Sequence, residues 1–170
     1  MMDHLWKDAV WGQFGAAIDM LANAVDACPE DLWFDRAREP QFWYLVSHTL
    51  FWLDYYLTED REHFRPPAPF GLEELDPAGV IPEPPYTKAQ LRTYLAHGRR
   101  KCRETIAAMS PERSARRHAR RWGTASEMEL LIYNLRHVQH GAAQLNLLLR
   151  QETAAAPRWV GQAKDVDGDR

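Results

Sequence analysis

The sequence predicts an all-α fold, a four-helix bundle with one long Pro-rich crossover connection. Four segments repeat apolar residues at three- and four-residue spacing, no segment shows convincing strand alternation, and seven prolines cluster within residues 61–86. A chain of 170 residues with 45% hydrophobic content has the size of one domain with its own core. We expect residues 1–152 to form the bundle and residues 153–170 to form a partly disordered C-terminal extension, with Trp159 as its anchor.

The first two helices are predicted over residues 3–28 and 41–59. Pro29 ends the first, and Pro40 can occupy the first turn of the second without losing an intrahelical hydrogen bond. The second segment is apolar on nearly all sides, which is typical of a central helix. Asp54 on this helix is expected to be solvated. The proline cluster that follows predicts a stiff strap over one end of the bundle, with a role as a lid left open.

The other two helices are predicted over residues 87–109 and 125–151. Thr87 is a plausible N-cap of the third helix. The fourth helix has a stripe of leucines and small apolar residues. A polar strip borders that stripe and contains Asn134, His137, Gly141 and Gln144. Buried polar side chains need partners, so this strip is satisfied by neighbouring helices or lines a functional pocket.

Composition excludes several classes of protein. The formal charge of −3 and the pI near 6.2 give no general attraction to nucleic acid or to an anionic membrane. No apolar run reaches the roughly 18 residues of a transmembrane helix, and a soluble, cytoplasmic protein is expected. Cys28 and Cys102 lie far apart on core stripes, which predicts neither a disulfide nor a nucleophile.

Residues 99–121 form a basic block, with nine Lys and Arg residues against two acids. It has no recognisable nucleic-acid motif, and a solvated face is the favoured interpretation. If some of these arginines converge near a pocket, they could instead hold a carboxylate or phosphate on a small ligand.

Two segments, PQFWYLVSHTLFWLDYYL and LLIYNLRHVQHGAAQLNLLLR, resemble the DinB-like superfamily, which includes the YfiT-type proteins. This resemblance implies a four-helix bundle, often a homodimer. It also implies a divalent metal, zinc or nickel, held by one histidine of the second helix and by a pair four residues apart on the last. Some relatives are thiol-dependent transferases or isomerases that use bacillithiol, mycothiol or glutathione. The resemblance does not imply DNA binding.

Carried onto this chain, the resemblance places metal ligands at His48 and His137. The expected third position is Gly141, and His140 is the nearest alternative ligand. At about 100° per residue, His140 lies roughly 60° around the helix from His137, so both reach one ion only if the helix is rotated or distorted. Gln144 is expected to be a second-shell partner. Because Gly141 replaces an expected ligand, we expect weak or absent metal, and we expect Gly141→His to raise the affinity for zinc or nickel.

Three hypotheses follow. The protein is a metal-dependent enzyme with His48, His137 and His140 around an open coordination position, where a thiol or water is deprotonated. Alternatively, it is a non-catalytic bundle that binds a small ligand in space left by Gly141. The third hypothesis is a dimeric structural protein whose histidines are internal hydrogen-bond partners.

Overall fold

The computed structural model describes residues 2–120 and 123–163. Within these ranges the helices are α1 (Met2–Ala27), α2 (Glu30–Trp33), α3 (Phe42–Leu57), α4 (Lys88–Ala107), α5 (Pro111–Ala115) and α6 (Glu127–Thr153). The four long helices are α1, α3, α4 and α6, and their ends lie within about two residues of the predicted ones. The prediction of an all-α bundle is therefore confirmed.

The long helices pack so that α1 and α3 each contact both α4 and α6. One core runs between them, because each helix buries an apolar stripe on its inner side. Its largest fully buried side chains include Phe14, Trp33, Phe42, Trp43, Leu53, Leu91, Tyr94 and Ile106. The predicted central helix, α3, is buried at ten of its sixteen positions.

Capping boxes fix where α4 and α6 begin. The Thr87 side chain accepts a hydrogen bond from the Gln90 backbone N–H, and the Gln90 side-chain oxygen accepts one from the Thr87 backbone N–H. Ser126 and Glu129 form the same arrangement at the start of α6. The expected N-cap at Thr87 is confirmed.

Two glycines allow close approach of the neighbouring helices to α3. A Cβ on Gly98 of α4 would lie 2.8 Å from Leu53 Cδ2, and a Cβ on Gly141 of α6 would lie 2.9 Å from Thr49 Cγ2. Real side chains essentially never approach so closely. The absence of a side chain at these positions therefore sets the distance of α4 and α6 from α3.

The crossover between α3 and α4 packs against the bundle. Phe64 is buried against Phe51, and Phe70 stacks on Tyr94 of α4 with ring centroids 4.4 Å apart. A short 3₁₀ turn, Glu73–Leu75, lies within the crossover. Residues between helices α3 and α4 thus form the strap that the sequence predicts.

A short antiparallel hairpin precedes α6, with strands β1 (Arg117–Arg120) and β2 (Gly123–Ser126). Arg117 pairs with Ser126, and Arg120 pairs with Gly123. The sequence does not predict this hairpin, since four-residue strands rich in arginine show no clear alternation. The described residues contain no further strand.

After α6 the chain turns at Ala154, which has a φ of 56°, and returns along α1. The Ala163 backbone N–H donates to the Gly12 carbonyl at 2.8 Å, and Gln13 Nε2 donates to the Gly161 carbonyl at 3.1 Å. The expectation that Trp159 anchors this extension is wrong, because Trp159 is 70% exposed. Residues 164–170, which we expect to be frayed, lie outside the described residues.

No helix in the described part of the chain has the length and apolar character needed to span a bilayer.

Candidate functional site

His48 of α3 and His137 of α6 face each other across the contact between these helices. Their ring centroids lie 5.5 Å apart and the ring planes are inclined by 59°. The apolar stripes of both helices turn inward, and each histidine lies at the edge of its stripe, half-buried. The structure thus brings together two of the three predicted metal ligands.

Glu74 of the crossover lies on the other side of His48. Its Oε2 atom is 2.7 Å from His48 Nδ1 and accepts a hydrogen bond from Trp52 Nε1 at 3.1 Å. The Tyr44 hydroxyl also bonds to this carboxylate. Burial alone would raise the pKa of Glu74, but the hydrogen bonds from His48, Tyr44 and Trp52 lower it overall. An ionised Glu74 fixes the proton of His48 on Nδ1 and leaves a lone pair on Nε2.

The strap thereby completes the site, and Glu74 is a residue that the sequence analysis missed. Its side chain is only 10% exposed, although it lies in a connection rich in prolines and acids. Neighbouring Glu73 and Asp76 offer the same side-chain chemistry. Nothing in the local sequence distinguishes Glu74 from them, because its partners are more than 20 residues away.

Aromatic rings surround the two histidines. Tyr44 and Trp52 lie 6.2 and 6.3 Å from the His48 ring, and Tyr56 lies 6.4 Å from the His137 ring. Tyr56 also packs edge-on against Tyr133 at 5.3 Å. These rings exclude water from one side of the imidazoles and lower the local polarity.

His137 is an electrostatically unusual residue. Burial, and then the nearby imidazoles of His48 and His140, lower the pKa of His137 to about 4. Its Nε2 atom is buried and has no hydrogen-bond partner among the described residues. A buried ring nitrogen without a partner carries a desolvation cost that a ligand or ion at this position would offset. The neutral imidazole is also the form that binds metal.

The His140 side chain does not join this pair in the interior. It is exposed on the outer surface of α6, where it lines an open groove of about 500 Å³ that His137 also borders. The three-residue spacing turns it away from the core, as the helical geometry predicts. Gln144, expected as a second-shell partner, is exposed as well.

Gly141 leaves no pocket. It is buried against Thr49 of α3, and a side chain here would overlap the Thr49 hydroxyl and methyl groups. The expectation that a small ligand occupies space left by Gly141 is therefore wrong. A histidine side chain at position 141 would also meet Thr49, and this overlap argues against the gain in metal affinity expected for Gly141→His.

Among the described residues, no three His, Cys, Asp or Glu side chains form a group that could hold a metal ion. Two donors do fit. Nitrogen–zinc bonds are about 2 Å long, and a ring-centroid separation of 5.5 Å is compatible with both imidazoles on one ion. The second nitrogen of His48 is held by a carboxylate, as is usual for metal-bound histidines. The residues present therefore fit an open centre with two protein ligands, and they do not fit a closed structural site.

Comparison with protein families agrees with this architecture. The family model described as the DinB superfamily matches residues 13–145, which include α3, α4, most of α6 and both central histidines. The chain belongs to the DinB superfamily. Comparison with curated proteins finds no match. Membership of the DinB superfamily accounts for the bundle with its crossover, and the chemistry of this member depends on its own side chains.

Neither cysteine belongs to the centre of this DinB protein. Cys28 and Cys102 are free, 2% and 0% exposed, and packed in the core. Burial raises the pKa of Cys28 to about 12 and raises that of Cys102 further. Burial therefore favours the protonated form of both thiols at neutral pH.

A second polar cluster lies between α3 and α4. The carboxylate of Asp54 is 1% exposed, accepts a hydrogen bond from the Tyr94 hydroxyl at 3.1 Å and contacts Lys101 Nζ. His97 Nε2 lies 3.4 Å from the same carboxylate. The expectation that Asp54 is solvated is wrong, because Lys101 and Tyr94 of α4 contact its carboxylate and cover it. Helix α3 is covered by other elements on nearly all sides, and Asp54 is therefore buried together with its partner Lys101.

Proposed function

We propose that this DinB protein binds a divalent metal ion, zinc or nickel, weakly at His48 and His137, and that the centre serves a thiol-dependent transferase or hydrolase-type reaction. The observation that carries the proposal is the buried, unpartnered Nε2 of His137 beside an imidazole that Glu74 already orients. An unpartnered imidazole nitrogen and an imidazole oriented by a carboxylate are both typical of histidines that bind metal.

A bound metal would lower the pKa of a coordinated thiol or water, and with few protein ligands it would keep positions open for substrate. The side chains around the centre orient the two imidazoles and shield them from water. Glu74 fixes the tautomer of His48, and the rings of Trp52 and Tyr56 keep water away from the imidazoles. The depressed pKa of His137 keeps its imidazole neutral at physiological pH.

The thiol in this proposal comes from a small molecule. Cys28 and Cys102 are buried and lie outside the centre, so the described chain supplies no thiolate there. The bundle also has an open groove of about 500 Å³ beside His137, lined by Tyr133, Arg136 and His140 among others. His137 therefore borders both this groove and the proposed centre.

The test is calorimetric titration of zinc and nickel into protein purified without a nickel column and stripped with chelator. We expect weak binding to the parent, no measurable binding to His48→Ala or His137→Ala, and binding to His140→Ala that equals the parent. His140→Ala is the matched control, because it removes an exposed imidazole from the same helix. Binding that survives in His137→Ala would overturn the proposal.

The second candidate is a small-ligand-binding protein without metal or catalysis. It is favoured by one observation, that the described residues offer no third metal ligand. In this case the two imidazoles hydrogen-bond a polar group of the ligand directly. A parent protein that binds neither zinc nor nickel, yet changes its His48 and His137 imidazole NMR signals with a small thiol, would support this candidate over the first.

A further inference from the structure

Three arginines converge where the end of α3, the hairpin and the start of α6 meet. Arg61 lies near the start of the crossover, Arg113 lies on α5, and Arg120 ends β1. They surround His118 of β1 and Glu127, the first residue of α6. Arg99 and Arg103, from the other half of the basic block, lie elsewhere, over the ring of Trp11 on α1.

Positive charge exceeds negative charge in this cluster. Its one buried carboxylate is Glu127, with a side chain 5% exposed, 2.5 Å from His118 Nε2 and 3.8 Å from Arg113 Nη2. Arg116 and Glu59 form a separate ion pair at the exposed rim and offset each other. Arg61, Arg113 and Arg120 therefore contribute three cations against the single charge of Glu127.

Several guanidinium donors in this cluster have no hydrogen-bond partner among the described residues, although they are shielded from water. They are Nε of Arg61, Nε of Arg113, and both Nε and Nη2 of Arg120. Arg61 does donate to the Tyr56 carbonyl at 3.1 Å, and Arg120 to the Ala119 carbonyl at 2.9 Å. Burial and the neighbouring Arg120 charge lower the pKa of Arg61. Unpaired cationic donors are costly, and an anion would satisfy them.

We propose that Arg61, Arg113 and Arg120 form a binding site for a carboxylate or phosphate group of a small molecule. Planar guanidinium groups match both oxyanions with paired N–H donors. The amino-terminal end of α6 adds the positive end of a 27-residue helix dipole at Glu127. The side chains of Arg113 and His118 remain 18% and 17% exposed, so the cluster reaches the protein surface at these two residues.

This site is separate from the two-histidine centre, and Tyr56 lies between them. The Tyr56 carbonyl accepts the Arg61 hydrogen bond, Arg120 acts electrostatically on its phenol, and its ring packs against His137. Tyr56 thus contacts both the arginine cluster and His137. Occupation by a free oxyanion needs no metal, so the site exists independently of the proposed metal chemistry.

The test is thermal unfolding in sodium phosphate, in sodium acetate and in sodium chloride of equal ionic strength, all with chelator present. We expect phosphate or acetate to raise the melting temperature of the parent above its chloride value. A larger effect of phosphate assigns the site to phosphate esters, and a larger effect of acetate assigns it to carboxylates. Because metal is excluded, the result is independent of whether His48 and His137 bind an ion.

Two variants and a control locate the effect. Arg120→Gln should weaken oxyanion binding about 10-fold, through loss of one charge-assisted fork. Glu127→Gln should strengthen it, because the internal competitor for the guanidinium groups is removed. Arg100→Gln, which removes an exposed charge from α4, should leave it unchanged. Each variant is compared with its own melting temperature in chloride, so a loss of stability does not obscure the result.

The proposal is overturned if the parent shows no oxyanion-specific rise, or if Arg120→Gln and Arg100→Gln respond alike. An equal response would assign the effect to general surface charge.

Discussion

The carboxylate of Glu74 lies 2.7 Å from Nδ1 of His48, although 26 residues and a proline-rich strap separate them. This contact fixes a histidine that faces a second imidazole across two helices. The strap therefore covers the bundle end and also has a chemical role, because its Glu74 holds the proton of His48 on Nδ1.

Replacing Glu74 with Gln should weaken zinc or nickel binding about 10- to 100-fold, the usual effect of removing a carboxylate behind a ligating histidine. The amide can still accept a hydrogen bond but carries no charge to make His48 more basic. Titration calorimetry measures the change, with Glu73→Gln as the control from the same 3₁₀ turn. Equal affinities of Glu74→Gln and Glu73→Gln would show that Glu74 does not act on the centre.

Gly141 should not tolerate a side chain. Gly141→Ala places a methyl group against Thr49 and should cost about 1–3 kcal/mol of unfolding free energy through overpacking. Gly141→His should cost more and should not increase metal affinity, in contrast to what the sequence alone suggests. Urea denaturation provides the measurement.

Thr49→Ala in the Gly141→Ala background should recover much of this loss, since the overlapping hydroxyl and methyl groups are gone. Gly161→Ala is the matched control, because no atom lies within 4 Å of a Cβ there. A Gly141→Ala protein as stable as Gly161→Ala would contradict the close approach of α6 to α3.

The helices could be predicted because each carries a long apolar repeat, which depends on residues a few positions apart. His48 and His137 could be placed on facing helices for the same reason, and through the resemblance of their segments to the DinB superfamily. The environments of Glu74, Asp54 and Gly141 could not be predicted from the sequence. The environment of each is set by a side chain from a distant segment: His48, Lys101 and Thr49 respectively.

Both cysteines should be unreactive in the folded protein. Because burial raises the pKa of Cys28 to about 12 and that of Cys102 also upward, the thiolate fraction at pH 8 is very small. Ellman's reagent should release no thiolate from native protein and two equivalents after unfolding in guanidinium, one for each of the two cysteines. Rapid modification of either cysteine in the native protein would contradict this prediction, and that cysteine could then supply the thiol of the proposed reaction.

The protein should form a homodimer, which the resemblance to DinB-like proteins implies. Exposed Ile132 and Leu147 on α6, 49% and 52% accessible, and Leu5 on α1 are consistent with apolar surface available to a partner. Light scattering at micromolar concentration should return twice the chain mass of 19.7 kDa. A mass of one chain at this concentration would refute the prediction.

Asp54→Asn should lower the unfolding free energy by about 3 kcal/mol, at the lower end for a broken buried ion pair because Lys101 is 26% exposed. The substitution keeps the size of the side chain but leaves Lys101 facing a neutral amide. Lys101→Met in the same chain should recover part of the loss, since it removes the uncompensated cation. Asp60→Asn is the control, because Asp60 is 67% exposed and its contact with His63 is local. Urea denaturation of the four proteins measures these differences. If Asp54→Asn is no less stable than Asp60→Asn, the buried cluster does not hold α3 to α4, and Asp54 is free for a role other than a structural one.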